Sequence, residues 1–315
     1  MRWLLLMTVG CGAEVVVGGS EEKASSKDCP ELSSSVEVIA ESQHGPMSIA
    51  IDAHAIYWAE SKIDADRVNK VAKAGGAIVT VAPLGGGSYG LVVDDGQVYW
   101  TVYDNEAPVF AVSKNGGPVS TLVDGQRRAT YLAQDDTHLY WLNTGTLGSH
   151  YVDGSVMRVE KSGGMPSALA TNRTMLIDIE VSGDWVVFTD LSGLYQLPKT
   201  GGPISDIARG EILGFALDEA SIYWSQGSEV LRRSLEPGGA REVLVTRTAP
   251  PRPVVVDESC VYASTAPGGP LERFPKNGGR VVTLVDGTFG MDFAADDARV
   301  YWTEYEQGRI MSATK

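Results

Sequence analysis

Three features of the sequence predict an all-β chain folded as a seven-bladed β-propeller. An aromatic pair recurs seven times at near-constant spacing. A Gly-Gly turn follows each of the first six pairs, and an unmatched strand upstream of the first copy supplies what the seventh copy lacks. The pairs are Tyr57-Trp58, Tyr99-Trp100, Tyr140-Trp141, Val187-Phe188, Tyr223-Trp224, Tyr262-Ala263 and Tyr301-Trp302, spaced by 42, 41, 47, 36, 39 and 39 residues. A period of about 40 residues is that of propeller blades.

Each full copy reads as strand, Asp turn, aromatic strand, loop, strand, Gly-Gly turn and last strand. The turn aspartates are Asp52, Asp94, Asp135, Asp218, Asp257 and Asp296, with Ser182 in the fourth copy. Asp suits this turn because its carboxylate accepts nearby backbone amides. Gly-Gly suits the other hairpin because it reaches positive φ without strain. A Lys usually precedes Gly-Gly, as in "AKAGG" and "SKNGG", and is expected to be solvent-facing turn chemistry. Consecutive apolar residues such as "IYW" predict strands buried on both faces, as in stacked blades. Six of the seven tryptophans fall in second strands, which marks them as packing between blades.

The seventh copy ends in "RIMSATK" without a fourth strand. "SVEVIA" (Ser35 to Ala40) has the fourth-strand pattern and no third strand of its own. It is expected to pair with Arg309–Ala313, close the ring and hide two sheet edges. The propeller then spans 35–315, four antiparallel strands to a blade, and the repeat is complete.

The start of the chain is separate. "MRWLLLMTVGCG" carries Arg2, an apolar run from Trp3 to Val9 and small residues around Cys11, too short to span a bilayer. Residues 1–10 are expected to be an export signal. Residues 11–34 are expected to be a Ser-, Glu- and Gly-rich tether. The stretch "TVGC" resembles a bacterial lipoprotein signal, which implies a lipid on Cys11 and anchoring in the cell envelope by acyl chains alone. Without that lipid the chain would be secreted. Cys29 and Cys260 are the other two cysteines and form a possible disulfide in an oxidising compartment.

A formal charge of −14 argues against nucleic acid, since no basic stripe offers itself to phosphates. The one Gly-x-Ser-x-Gly spacing, Gly86 to Gly90, lies among short strands rather than at a strand-to-helix elbow, and no His-Glu-x-x-His pattern is present. The Tyr-Trp-Thr signature resembles YWTD-type receptor propellers and TolB-like envelope propellers, and "VYWTEYEQGRI" resembles a blade of the virginiamycin B lyase type. The resemblance is at the level of the repeat. The YWTD aspartate survives only as Asp190, and the YWTD family implies six blades against the seven counted. The lyase resemblance implies a catalytic histidine in a late blade, whereas all four histidines fall in the first half of the chain.

The loops entering each first strand and those joining second to third strands should share one face around the channel. Tyr103, Asp104, His150, Tyr151 and Tyr305 are the candidate contact residues there, and His44, Arg127, Arg128, Arg173 and Arg247 belong to the same face. Glu60, Asn143, Asp190, Gln226 and Glu304 stand two residues beyond their aromatic pairs. They could form a ring of oxygen ligands for Ca²⁺, with Glu60, Asn143, Asp190 and Glu304 the strongest four. Two functions stay open. One is a non-catalytic, monomeric, envelope-anchored module that binds a protein or glycan. The other is a Ca²⁺-dependent lactonase- or lyase-like enzyme with its site at the channel mouth and His150 as base. The binding reading is favoured because no catalytic motif supports the enzyme.

Overall fold

The computed structural model describes Cys29 and residues 35–61, 66–248, 251, 254–265, 268–288 and 290–315. The expectations for the signal, Cys11 and most of the tether lie outside the described residues. The described chain forms seven four-stranded antiparallel sheets, each wound in sequence order except the last. The first strands of the blades are Pro46–Ile51, Gly90–Val93, Ala129–Gln134, Asp178–Ser182, Gly214–Leu217, Val254–Val256 and Gly290–Ala295. Each neighbours the first strands of the adjacent blades, and together they ring a central channel. The protein is therefore a seven-bladed β-propeller.

Blade stacking explains the sequence pattern. The second strands bury nearly every side chain on both faces, and Trp58, Trp100, Trp141, Trp224 and Trp302 are at most 1% exposed. Trp185 departs from this register. It starts its strand on the Asp-turn side and is only partly buried, while Phe188 fills the equivalent packing position. The Gly-Gly turns behave as expected, with φ of +84° and +131° at Gly75 and Gly76.

Each turn aspartate does more than cap a turn. Asp94 Oδ1 accepts the amides of Gly96 and Gln97, both at 2.9 Å, and its Oδ2 accepts Tyr99 Oη at 3.0 Å. Lys161 of the following blade then reaches Asp94 Oδ2 at 3.0 Å. The same arrangement joins Lys114 to Asp52, Lys199 to Asp135, Lys276 to Asp218, Lys315 to Asp257 and Lys73 to Asp296. These lysines are 5–19% exposed, so the expectation that those before Gly-Gly, all but Lys315, face solvent is corrected. Their stems run inward because each ammonium has a carboxylate on the adjacent blade, and several also cross the tyrosine ring, as Lys161 does at 5.6 Å from the Tyr99 centroid.

One joint lacks the clamp. Ser182 replaces the aspartate of blade four, Val187 replaces its tyrosine, and Leu235 of blade five takes the lysine position, its amide donating to Ala220 O as Lys73 N does to His54 O. Val187 and Leu235 are buried in one apolar cluster. The three members of the clamp are lost together, so no charge is left without its partner.

The ring closes through the N-terminal strand. Val36–Ala40 pairs antiparallel with Arg309–Thr314, placing Val36 opposite Ala313 and Val38 opposite Met311. Arg299 Nη1 adds an ion pair to Glu37 at 2.6 Å. Cys29 and Cys260 form a disulfide with Cα atoms 5.4 Å apart, and this bond ties the segment before the closing strand to blade six.

Candidate functional site

The loop face carries two neighbouring features, an aromatic rim over blades two and three and a cavity at the channel mouth. The rim is built around Arg128. Its guanidinium lies 5.3 Å from the Tyr103 ring centroid and 5.4 Å from that of Tyr151. Nη1 donates to Tyr151 Oη at 2.9 Å and to Tyr103 Oη at 3.3 Å, while Nε donates to Asn105 Oδ1 at 3.2 Å. Tyr89 meets Tyr103 edge to face at 5.4 Å. Rings this exposed lose freedom when a cation locks them, so their surface is preorganised for contact.

The backbone beneath the rim is unusual. Arg128, Tyr131, His150 and Tyr151 all have positive φ, between 37° and 59°. Side chains with a Cβ pay for that conformation, and such residues cluster where a site needs an otherwise disfavoured geometry. The long loop 144–153 is ordered by Asp153, which accepts the Thr146 amide at 2.8 Å, Thr146 Oγ1 at 3.0 Å and the Ser149 hydroxyl. The Ser149 and Thr146 bonds hold the Asp153 carboxyl down at about 2. Gly145 is required there, because a side chain at that position would meet Asp153 Oδ1 at 2.5 Å.

Of the candidate contact residues, Tyr103, Asp104 and Tyr151 come together about Arg128, whose amide donates to Asp104 O at 2.8 Å. His150 is exposed beside Tyr151, where it ends a short 3₁₀ turn, Leu147–Ser149. Tyr305 belongs elsewhere and packs on Gly45, where a side chain would meet its ring at 2.6 Å.

The oxygen-bearing residues after the aromatic pairs are each occupied within the fold. Glu60 is fully buried and bonds Arg67 Nε at 2.6 Å. Glu304 takes Arg309 Nε at 2.8 Å and Trp302 Nε1 at 3.2 Å. Asp190 pairs with Arg173 at 2.5 Å and accepts the Ser192 amide at 2.7 Å. Asn143 bridges Trp141 and Gln126, and Gln226 donates to Arg209 O at 2.6 Å. Glu60 faces Arg67 and Glu304 faces Arg309 across their hairpins, so each carboxylate is neutralised by its own blade. Among the described residues, no group of three or more His, Cys, Asp or Glu side chains is arranged to hold a metal ion. Arg173 and Arg247 are ion-paired with Asp190 and Glu272 rather than merely solvated.

The cavity at the channel mouth has a volume of about 290 Å³. Its acids are Asp178 of blade four and Asp292 of blade seven, with Glu180 below them. Asp292 accepts the amides of Ile49 and Phe293, both at 2.9 Å, and Glu180 Oε2 accepts the Leu217 amide at 2.9 Å. Burial pushes Asp178 up to about 7 and Asp292 up to about 6, and the Asp292 charge adds to the effect on Asp178. Burial, reinforced by Asp178, also raises Glu180 well above the usual carboxylate range.

Sequence reasoning passed over these three acids. Their signal was nevertheless present: "MDFAAD" and "IDIEVS" put Asp292 and Asp178 at first-strand positions held in other blades by Ser48, Gly90, Tyr131 and Gly214, and Glu180 at one held by Ala50, Val92, Ala133 and Ala216.

No protein-family model matches this chain, and no curated protein sequence matches it. Solved structures do resemble it. Virginiamycin B lyase from Staphylococcus aureus superposes with a TM-score of 0.70 at 12% identity, over 90% of this chain and 99% of that one. The extracellular domain of the hybrid two-component protein BT4673 from B. thetaiotaomicron gives 0.66 at 10% identity, over 89% of this chain and 39% of that one. A nidogen chain in complex with laminin gives 0.52 at 15% identity, over 64% and 79%. One neighbour is a lyase and another sits in a binding complex. At these identities the likeness establishes the propeller architecture alone.

Proposed function

We propose that this chain is an exported, envelope-held propeller that binds a protein or glycan partner through its loop face. The observation that carries the reading is the Tyr103–Arg128–Tyr151 rim, two aromatic rings immobilised around one guanidinium at the protein surface. Tyr and Arg are enriched where binding energy concentrates, because they offer a large contact area at a low cost in conformational freedom. Exposed Leu147, Val152 and Met175 lie on the same face and extend its apolar area. The Cys29–Cys260 disulfide supports export, since such bonds persist in oxidising compartments. The short apolar leader and Cys11 support a lipid anchor, with the propeller itself monomeric.

The test is direct. Immobilised protein is screened against glycan arrays and cross-linked in intact envelopes, beside the Tyr103→Ala/Tyr151→Ala variant. The reading predicts ligands that bind the parent and lose at least about tenfold in affinity in the variant. Equal binding by a correctly folded variant would remove the rim from consideration. Cys11→Ser should move the protein from the membrane fraction to the soluble fraction, and no change would sink the anchor.

The Ca²⁺-dependent enzyme is the second reading. It would require Glu60, Asp190 or Glu304 to release an arginine before meeting a metal, which weakens it relative to binding.

A further inference from the structure

The channel-mouth cavity combines two wall chemistries. Tyr89 and Tyr131 bring aromatic rings, and Met47 and Met291 bring polarisable apolar surface, while Asp178 and Asp292 bring carboxylates from different blades. Among the described residues, no Lys, Arg or His lines this cavity or the space beneath it that holds Glu180. Asp178 uses Oδ1 to accept the Ile179 amide at 2.8 Å, and its other oxygen has no donor among the described residues.

A second observation is independent of the acids. Ser48 is 4% exposed, lines the same cavity, and its Oγ has no hydrogen-bond partner among the described residues. A buried hydroxyl and two partly buried acids without a counter-ion cost folding free energy, because each polar group has lost water without full replacement. Tyr131 adds backbone strain at φ of 37° on the same wall. Such costs converge where a ligand completes the set.

We propose that this cavity binds a small organic cation, an ammonium group carried on an apolar or aromatic body. Asp178 and Asp292 hold the charge, Ser48 Oγ accepts an N–H, and the Tyr89 and Tyr131 rings flank the cation and its body. An anion is excluded by the acids. A hard metal ion is disfavoured, since it needs six or more oxygens and the walls are largely aromatic, aliphatic and thioether. The volume suits a ligand at the small end of the usual range. Burial keeps the acids protonated nearer neutral pH than usual, so an arriving ammonium would draw them into the charged form. The site adjoins the rim through the Tyr89–Tyr103 contact but uses neither Arg128 nor Tyr151, and it stands whether or not that rim binds a partner.

The experiment uses benzylamine and its neutral near-isostere benzyl alcohol, titrated into the exported chain and followed by calorimetry and ligand-observed NMR. Benzylamine is expected to bind saturably with a dissociation constant of about a millimolar or tighter, and benzyl alcohol at least about tenfold more weakly. Asp178→Asn keeps the oxygen that accepts the Ile179 amide, and it should weaken benzylamine at least about tenfold without changing the fold. Asp292→Asn should do the same. Equal binding of the two probes, benzylamine affinity unchanged in both variants, or no binding of either probe at roughly ten times that concentration would each overturn the proposal. So would saturable displacement of benzylamine by CaCl₂, which would reassign the cavity to a metal ion. The comparison between probes needs no variant, so a folding defect cannot mask the result.

Discussion

Lys199 Nζ stands 2.9 Å from Asp135 Oδ2, reaching from the hairpin of blade four to the turn of blade three. That carboxylate also caps its own turn and accepts Tyr140 Oη at 2.8 Å. One acid therefore serves a turn, a strand and a neighbouring blade. The same device at six of seven joints makes blade-to-blade contact specific as well as apolar.

The clamp should be energetically coupled. Asp94→Asn and Lys161→Met are each expected to lower stability by about 1 to 3 kcal/mol, since each leaves a half-buried partner uncompensated. The double variant should lose less than the sum, with a coupling of about 1 kcal/mol or more in a urea-denaturation cycle. Additive effects would show that the pair is incidental to stability.

Acid titration should reveal two opposing sets of carboxyls. The channel acids bind an extra proton when folded. The stability they contribute is full below about pH 4 and falls as the pH rises through their native values, about 6 for Asp292 and about 7 for Asp178. The turn acids behave oppositely. Burial raises Asp52, but its bonds to Lys114, the turn amides and Tyr57 outweigh that and bring it to about 2, so its contribution is lost between about pH 4 and 2. Thermal midpoints measured from pH 2 to 8 should therefore peak near about pH 4 to 5. Asp178→Asn should flatten the alkaline limb and raise the midpoint at pH 7 by about 2 °C or more. A limb unchanged in that variant would contradict the assignment.

Loss of the disulfide should loosen the closing strand before the ring. Cys29→Ser is expected to cost about 2 to 5 kcal/mol at most, because the bond joins residues 231 positions apart. The Val36–Ala40 pairing and the Arg299–Glu37 ion pair remain. Limited proteolysis should then cut near residue 35 while the blades persist; simultaneous digestion throughout would show that closure and ring fail together.

Addition of Ca²⁺ separates the two functional readings. If Glu60, Asp190 and Glu304 keep their arginines, the unfolding midpoint in excess Ca²⁺ should match that in EDTA. A metal bound only by the native state would raise it. A rise that disappears in Glu60→Ala would restore the enzyme.

Much of the fold was legible because a repeat announces itself. The Tyr-Trp pairs, the turn aspartates and the orphan strand at Val36 are regular in spacing, and each sits where local chemistry demands it. The lysines were misjudged for the opposite reason. Lys114 finds Asp52 only after two blades stack, 62 residues apart in the chain, and nothing within its own hairpin marks that partner. The site was harder still. Asp178, Glu180 and Asp292 occur in two blades only, and several first strands, that of Asp292 among them, shift register through a bulge that hides the inward-facing positions. Arg128 was placed on the loop face, but its pairing with Tyr151 and Tyr103 was not visible, because they lie 23 and 25 residues away on separate loops.

The closing strand also sets an order of events. Val36–Ala40 emerges from the ribosome long before Arg309–Thr314, by roughly 13 to 54 s at ordinary rates of synthesis. Throughout that interval it is a β-forming segment whose designated neighbour does not yet exist. Blades one to six can assemble meanwhile, but the circle cannot shut until the final hairpin arrives. A chaperone, or passage across a membrane in an extended state, would spare that strand from pairing with the wrong edge.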